Sequence, residues 1–298
     1  MTTDDTKSMT TDAPLPVFLS HPRVWRENRF VYPVVSRRSG GISIGINLNP
    51  DKVCNFDCIY CQVDRRSEAE TRFVEIDAVL QELDQVLTLV ETGTLFEDES
   101  FRSVPEALRR LNDIAFSGDG EPTTYRNFDE IVDRVAAVKR AHACDDVKLV
   151  LITNASMFHR PAVQRGLELL DRNNGEIWAK LDAGTEEYYQ LIERTKIPFR
   201  QVLDNIAAAA RVRPIVLQCL FMRVNGAPPG ADEIEAFCDR LSEIVASGGR
   251  IRLVQIYTVA RPPAESFVTP LTREELDAIA GRVAERTSLA TAVFPGSA

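Results

Sequence analysis

Nowhere does the sequence reach the roughly 20 consecutive apolar residues that a bilayer-spanning helix needs. Its opening, MTTDDTKSMTTDAP, is polar and acidic rather than basic and apolar. The first absence argues against a membrane span and the second against a signal or transit peptide, which makes the cytoplasm the expected location. Basic residues are in deficit: 35 Lys and Arg against 44 Asp and Glu give a net charge of −9. A general electrostatic footprint for nucleic acid is therefore missing. Only local clusters stand out, Arg37-Arg38, Arg65-Arg66 and Arg109-Arg110, with Arg23, Arg26 and Arg29 upstream, and such groups usually decorate solvated surface. No cysteine precedes Cys54, and of the six cysteines three are packed into residues 54 to 61. That distribution is unlike a secreted disulfide framework and points to a reducing compartment and a metal site.

What is present is an ordinary globular composition, 44% hydrophobic and 27% charged over 298 residues, enough for one large domain or two small ones. Residues 1–20, rich in Thr, Asp and Pro, read as a disordered tail. Beyond them β-branched runs alternate with helical stretches, the pattern of repeated βα units around a parallel sheet. Six runs are expected as strands: 42–48, 114–117, 147–153, 176–182, 215–222 and 251–258. Helical periodicity marks 76–90, 128–138, 232–246 and 272–286, the last opening on a Thr272/Glu275 capping box. Residues 93–112 break any period and read as a connecting insertion with a short helix. No internal repeat or low-complexity tract is visible. Such an α/β chain forms either a partial or complete barrel, with its chemistry at the C-terminal strand ends, or a doubly wound open sheet.

The segment DKVCNFDCIYCQVD sets Cys54, Cys58 and Cys61 at C-x3-C-x2-C spacing directly after the first expected strand. Structural zinc takes four protein ligands, and no fourth Cys or His lies within motif distance, since His21, Cys144, Cys219 and Cys238 are all remote. A four-iron cluster normally uses four thiolates, so one held by three has an iron open to a substrate or cofactor. Zinc completed by a remote residue and unmetallated core cysteines are the other readings.

This spacing, with the aromatic Tyr60 just before the third cysteine, resembles the motif of the radical S-adenosylmethionine superfamily. The resemblance implies a partial (β/α)6 TIM-like barrel of the radical SAM type, over residues 21–298 with a C-terminal helical extension from about 265. It implies a [4Fe-4S] cluster on Cys54, Cys58 and Cys61, and S-adenosyl-L-methionine chelated by the unique iron. One electron from the cluster would then cleave the sulfonium to a 5'-deoxyadenosyl radical that abstracts hydrogen from the substrate. The turn SGDGEPT after the second strand is similar to the family's Gly-Gly-Glu-Pro turn, with Asp119 where the first of those glycines usually lies. By that resemblance Tyr60, Gly118, Asp119, Gly120, Glu121 and Pro122 are cofactor contacts, as are Thr153 and Asn154 at the third strand end.

Lys180 and Asp182, on one face of the fourth strand with Trp178, are the candidate catalytic pair. Ser156, Gln218, Met222, Asn225, Gln255, Tyr257 and Thr258 complete the strand ends. Gln218 and Gln255 sit in apolar runs and should each find a hydrogen-bond partner. Arg261, in the stiff Ala260-Arg261-Pro262-Pro263 segment, is a candidate anion contact. Cys144, Cys219 and Cys238 read as buried apolar cysteines rather than a second cluster.

Together SGGISIGINL, the cysteine loop, SGDGEPT, ITNAS, WAKLDAGT and YTVARPPAE look like the branch grouped with wyosine-type tRNA-modifying enzymes. Those relatives carry upstream cysteines for a second cluster, and here none precedes Cys54. The expected partners are an unidentified substrate (small molecule, peptide or RNA) and a cytoplasmic one-electron donor, with no membrane. A tRNA base-modifying enzyme and a non-enzymatic zinc-binding regulatory module are the alternatives.

Overall fold

The computed structural model describes residues 25–69 and 71–296, so the stretch read as a tail, with His21 and Arg23, lies outside the described residues. The chain enters through strand β1 (Val31–Ser36) and turns into β2 (Gly41–Ile46), after which a long loop carries the three cysteines. Then follow α1 (Ile76–Glu91), β3 (Leu111–Phe116), α2 (Phe128–Ala141), β4 (Lys148–Thr153), α3 (Pro161–Asp171) and β5 (Gly175–Lys180). Helices α4 (Glu186–Glu193) and α5 (Phe199–Val212) lead to β6 (Ile215–Leu220), and a short β7 (Met222–Val224) precedes α6 (Ala231–Ala246). The chain closes with β8 (Ile251–Tyr257), β9 (Val268–Pro270), α7 (Arg273–Thr287) and β10 (Thr291–Phe294).

The main sheet runs in the order β1-β2-β3-β4-β5-β6-β8-β10. Every pairing from β2 to β10 is parallel, and only β1 is antiparallel to its neighbour. The six strands read from the sequence are thus six neighbours in chain order, curled as a TIM-like half-barrel. Two edge strands extend them. Pro33 sits within β1, opposite Ile44, and is tolerated because an edge strand needs bonds on one side only. At the other edge α7 carries the chain over to lay β10 parallel to β8, so the segment beyond residue 265 adds a strand as well as a helix. The expected run 215–222 ends at Leu220, and Met222 pairs instead with Pro270 in a separate two-stranded β7-β9 ribbon.

Alternation along each strand divides the apolar residues between two cores. Outward residues such as Ile44, Phe116, Leu149, Ile177 and Cys219 join the helices in one large cluster. Inward residues Ala115, Val150, Trp178 and Val216, with Ile152 and Leu253, form a second cluster inside the curl. Below it, Glu176 pairs with both Lys148, at 2.7 Å, and Arg252. The interior of the sheet is therefore filled near the starts of β4, β5 and β6 and open near the strand ends and beside β2 and β3, where Ser43 and Asp113 line a cavity.

The hairpin between β1 and β2 reaches across to the opposite edge. Arg37 Nη1 donates to the Pro295 carbonyl at 2.8 Å, and the Arg38 guanidinium lies 4.9 Å from the centre of the Tyr257 ring.

Candidate active site

The cysteine loop is held by backbone and amide bonds from two elements. Asp57 N and Ile59 N donate to the carbonyls of Glu193 and Ile192 at the end of α4, at 3.1 and 2.9 Å. Asn55 donates through Nδ2 to Ser156 Oγ at 2.8 Å and accepts from Asn154 Nδ2 at 2.9 Å, tying the loop to the end of β4. Phe56 and Ile59 are buried in the core, Phe56 edge-on to Tyr189 at 6.1 Å. Their burial leaves Cys54, Cys58 and Cys61 on a cavity of about 280 Å³ at the C-terminal ends of the strands.

Tyr60 lines the same cavity and carries its hydroxyl into a buried charged cluster. Its hydroxyl donates to Asp182 and lies 2.9 Å from Glu193 Oε1. Lys180 Nζ meets Asp182 Oδ2 at 2.9 Å and the Tyr257 hydroxyl at 2.9 Å. Burial opposes the Lys180 cation, but Asp182, Tyr257 and Glu193 outweigh it and hold the ammonium protonated. Asp182 Oδ1 also accepts from Leu220 N at 2.7 Å, which fixes it against β6. Glu193, not singled out from the sequence, accepts from Cys58 Sγ at 2.7 Å. Burial and the adjacent Asp182 push its carboxyl up to about 8. Nothing local in YQLIERT marks this residue, because its role arises only when the end of α4 meets a loop 135 positions earlier.

The GDGEPT turn is pressed against the loop after β2. Asn47, also missed in the sequence, accepts from Asp119 N at 3.1 Å and Asn49 N at 3.0 Å and donates to Asp119 Oδ2 at 2.7 Å. A Cβ on Gly118 would stand 2.2 Å from Asn47 Oδ1, and one on Gly120 would stand 2.3 Å from the Val53 carbonyl oxygen. Both positions need glycine for this close approach. Glu121 is buried and accepts four bonds: from Thr123 N (3.0 Å), Thr123 Oγ1 (2.5 Å), Thr153 Oγ1 (2.6 Å) and Asn154 N (2.7 Å). Burial raises its carboxyl despite these donors. Its chief structural work is to join the turn to the end of β4.

Of the predicted site residues, Tyr60, Gly118, Asp119, Gly120, Glu121, Thr153, Asn154 and Lys180 line the cavity with the three cysteines, as do Trp178, Gln218, Tyr257 and Arg261. Pro122 is buried at the start of a 3-10 turn, and Asp182 is reached only through Lys180 and Tyr60. Gln218 and Gln255 satisfy each other at 3.1 Å. Thr258 Oγ1 accepts from Leu271 N, Asn225 N donates to Phe267, and Met222 is buried in β7. Ser156 bonds Asn154 and Asn55. Of the basic clusters, Arg26 and Arg29 are paired with Asp98 and Glu75 at the surface. Arg109 bonds the carbonyls of Val104 and Arg102. Among the described residues of those clusters, only Arg38 and Arg65 reach the cavity.

Among the described residues no three Cys, His, Asp or Glu side chains gather around a point that could hold one ion. The surroundings of the three thiols suit a negatively charged cluster. Arg65 Nη2 donates to Cys61 Sγ at 3.6 Å, and its Nε is buried with no hydrogen-bond partner. A part-buried cation of this kind calls for negative charge, which three thiolates supply.

A curled parallel sheet with a three-thiol loop over its open end defines the class of enzymes that seat an iron-sulfur cluster there. The sequence profile of the Radical SAM superfamily matches residues 48–241, and the chain belongs to that superfamily. Its members use a [4Fe-4S] cluster and S-adenosylmethionine. A UPF0026 protein of Helicobacter pylori is 25% identical over 251 residues, covering 82% of this chain and 70% of its own. The UPF0026 protein MJ1312 of Methanocaldococcus jannaschii is 30% identical over 181 residues, 58% of this chain and 46% of that one. A protein named GTPase Obg from Brachyspira hyodysenteriae is 25% identical over 192 residues, 63% of this chain. The chain spans only 24% of that last relative and, as given above, under half of the archaeal one.

Two solved structures share the fold. A radical SAM methyltransferase from Sphaerobacter thermophilus superposes with a TM-score of 0.61 at 11% identity, over 89% of this chain and 69% of that one. TYW1 with a lysine-pyruvate adduct bound gives 0.51 at 16% identity, over 83% and 74%. No helix among the described residues is long and apolar enough to cross a membrane.

Proposed function

We propose that this chain reductively cleaves S-adenosylmethionine at a [4Fe-4S] cluster on Cys54, Cys58 and Cys61 and acts on a small molecule in the cytoplasm. The observation that carries this reading is the trio of thiols opening onto one cavity at the strand ends. When bound, the cluster supplies the electron that splits the sulfonium and so generates a 5'-deoxyadenosyl radical for hydrogen abstraction.

The chain's own residues hold, orient and exclude water. Once Cys58 is a thiolate, the single proton of the Cys58–Glu193 contact belongs on Glu193 Oε2, which then donates to sulfur. Asp182, anchored on Leu220 N, positions Lys180, whose ammonium faces the cavity as a cationic contact for a bound ligand. Gly118, Asp119, Gly120, Thr153 and Asn154 form the adjoining wall. The TYW1 structure has a lysine-pyruvate adduct bound. A lysine that forms such an adduct attacks as the neutral amine, so the protonated Lys180 favours ion pairing.

The net charge of −9 disfavours an RNA substrate, whose phosphates need a basic surface, and so favours a small molecule. Anaerobic reconstitution with iron and sulfide is expected to load about four irons per chain. Addition of dithionite and S-adenosylmethionine then yields 5'-deoxyadenosine, read by liquid chromatography with mass detection. A fully loaded protein that releases none would overturn the reading. Steeply salt-dependent binding of purified tRNA would restore the RNA alternative.

A further inference from the structure

Arg65 is the one member of the sequence's basic pairs whose guanidinium touches a cysteine of the site. Its three nitrogens are each distinctive. Nη1 donates to the Lys52 carbonyl, which anchors the side chain to the start of the cysteine loop. Nη2 donates to Cys61 Sγ at 3.6 Å. Nε is buried and has no partner. Among the described residues no carboxylate forms an ion pair with this arginine, although exposed Arg26 and Arg29 each have one. The charges nearest to it are those of the cysteines themselves, Cys61 first, then Cys54 and Cys58.

A guanidinium fixed in this way acts on whichever state of a neighbouring cluster is more negative. Gaining one electron adds a unit of negative charge, and a nearby positive charge and an N–H bond to a ligand sulfur both stabilise the product. We infer that Arg65 is a positioning residue that sets the reduction potential of the cluster, raising it into the reach of a one-electron donor. The inference rests on the cluster assignment of the preceding subsection. Arg66, next in sequence but exposed and away from the cavity, serves as the control.

The experiment is a potentiometric titration of the reconstituted holoprotein with dithionite, without S-adenosylmethionine, following the reduced cluster by electron paramagnetic resonance. Arg65→Gln and Arg65→Met remove the charge while keeping most of the stem. At the wild-type midpoint, either variant is expected to show a reduced-to-oxidised ratio about tenfold lower, equivalent to about 59 mV for one electron. Arg66→Gln is expected to titrate as wild type. A Gln or Met variant that carries its full complement of iron and keeps the wild-type midpoint overturns the inference. So does failure of both neutral variants to hold iron, which would make Arg65 a structural clamp. A wild-type protein that never acquires a four-iron cluster defeats the underlying assignment instead, a result visible from the iron count alone.

Discussion

At the scale of single residues, the site is built by side chains that hold loops rather than touch ligands. Asn47 satisfies two backbone N–H groups and one carboxylate while itself buried. Asn47→Ala leaves Asn49 N and Asp119 N without their acceptor and should destabilise the apoprotein by about 2 kcal/mol. Urea unfolding followed by circular dichroism checks this, and a change below about 0.5 kcal/mol would show that water replaces the amide. Gly120→Ala has a different consequence. Its new methyl meets the Val53 carbonyl, backbone that cannot rotate aside, so the cysteine loop must shift. The expected result is impaired iron loading with a folded chain, measured as iron per protein beside an unchanged far-ultraviolet spectrum.

At the scale of elements, α1 and α2 are clamped at one end by His142. Its Nδ1 faces Glu91 at 2.8 Å and its Nε2 faces Asp84 at 2.9 Å, both on α1. Burial works against the imidazolium, but the two carboxylates outweigh it and raise its pKa above 6.5. A raised value in the folded state means the stabilisation is full below the ordinary imidazole pKa and is lost as pH climbs through the folded value. His142→Gln should therefore lower the melting temperature most near pH 6 and least near pH 9, with a difference of up to about 1 kcal/mol for a partly exposed contact of this kind. A pH-independent effect of the substitution would contradict the clamp.

The same scale shows what could be read in advance. The six inner strands were legible because parallel strands buried on both faces are continuous β-branched runs, as in VKLVLIT. Strand β1 was hidden by Pro33, which argues against a strand unless the position is at an edge. Strand β10 was hidden by brevity, four residues with none exposed or fully buried. The thiol trio was legible from spacing alone. Glu193 and Asn47 were not, because each acquires its partners from a segment far along the chain, and no local pattern encodes that meeting.

At the scale of the whole molecule, the cysteine loop is gripped by α4, by the end of β4 and, through the Glu265 N to Ile59 carbonyl bond of 3.2 Å, by the segment before β9. A ligand bound to this loop draws on all three. Loading of iron and sulfide is therefore expected to raise the midpoint of thermal unfolding as a single transition. Two separated transitions in calorimetry would mean that the loop melts apart from the sheet. The inner cluster around Trp178 is the other global determinant, and Trp178→Ala should cost about 3–5 kcal/mol, read by the shift in urea midpoint.

That plug also governs traffic. With Ala115, Val150, Trp178 and Val216 filling one side of the curl, the chamber continues along β2 and β3, where Ser43 and Asp113 line it. A ligand in that recess lies beneath whatever occupies the mouth beside the cysteines, so inhibition patterns with two ligands should be ordered instead of random.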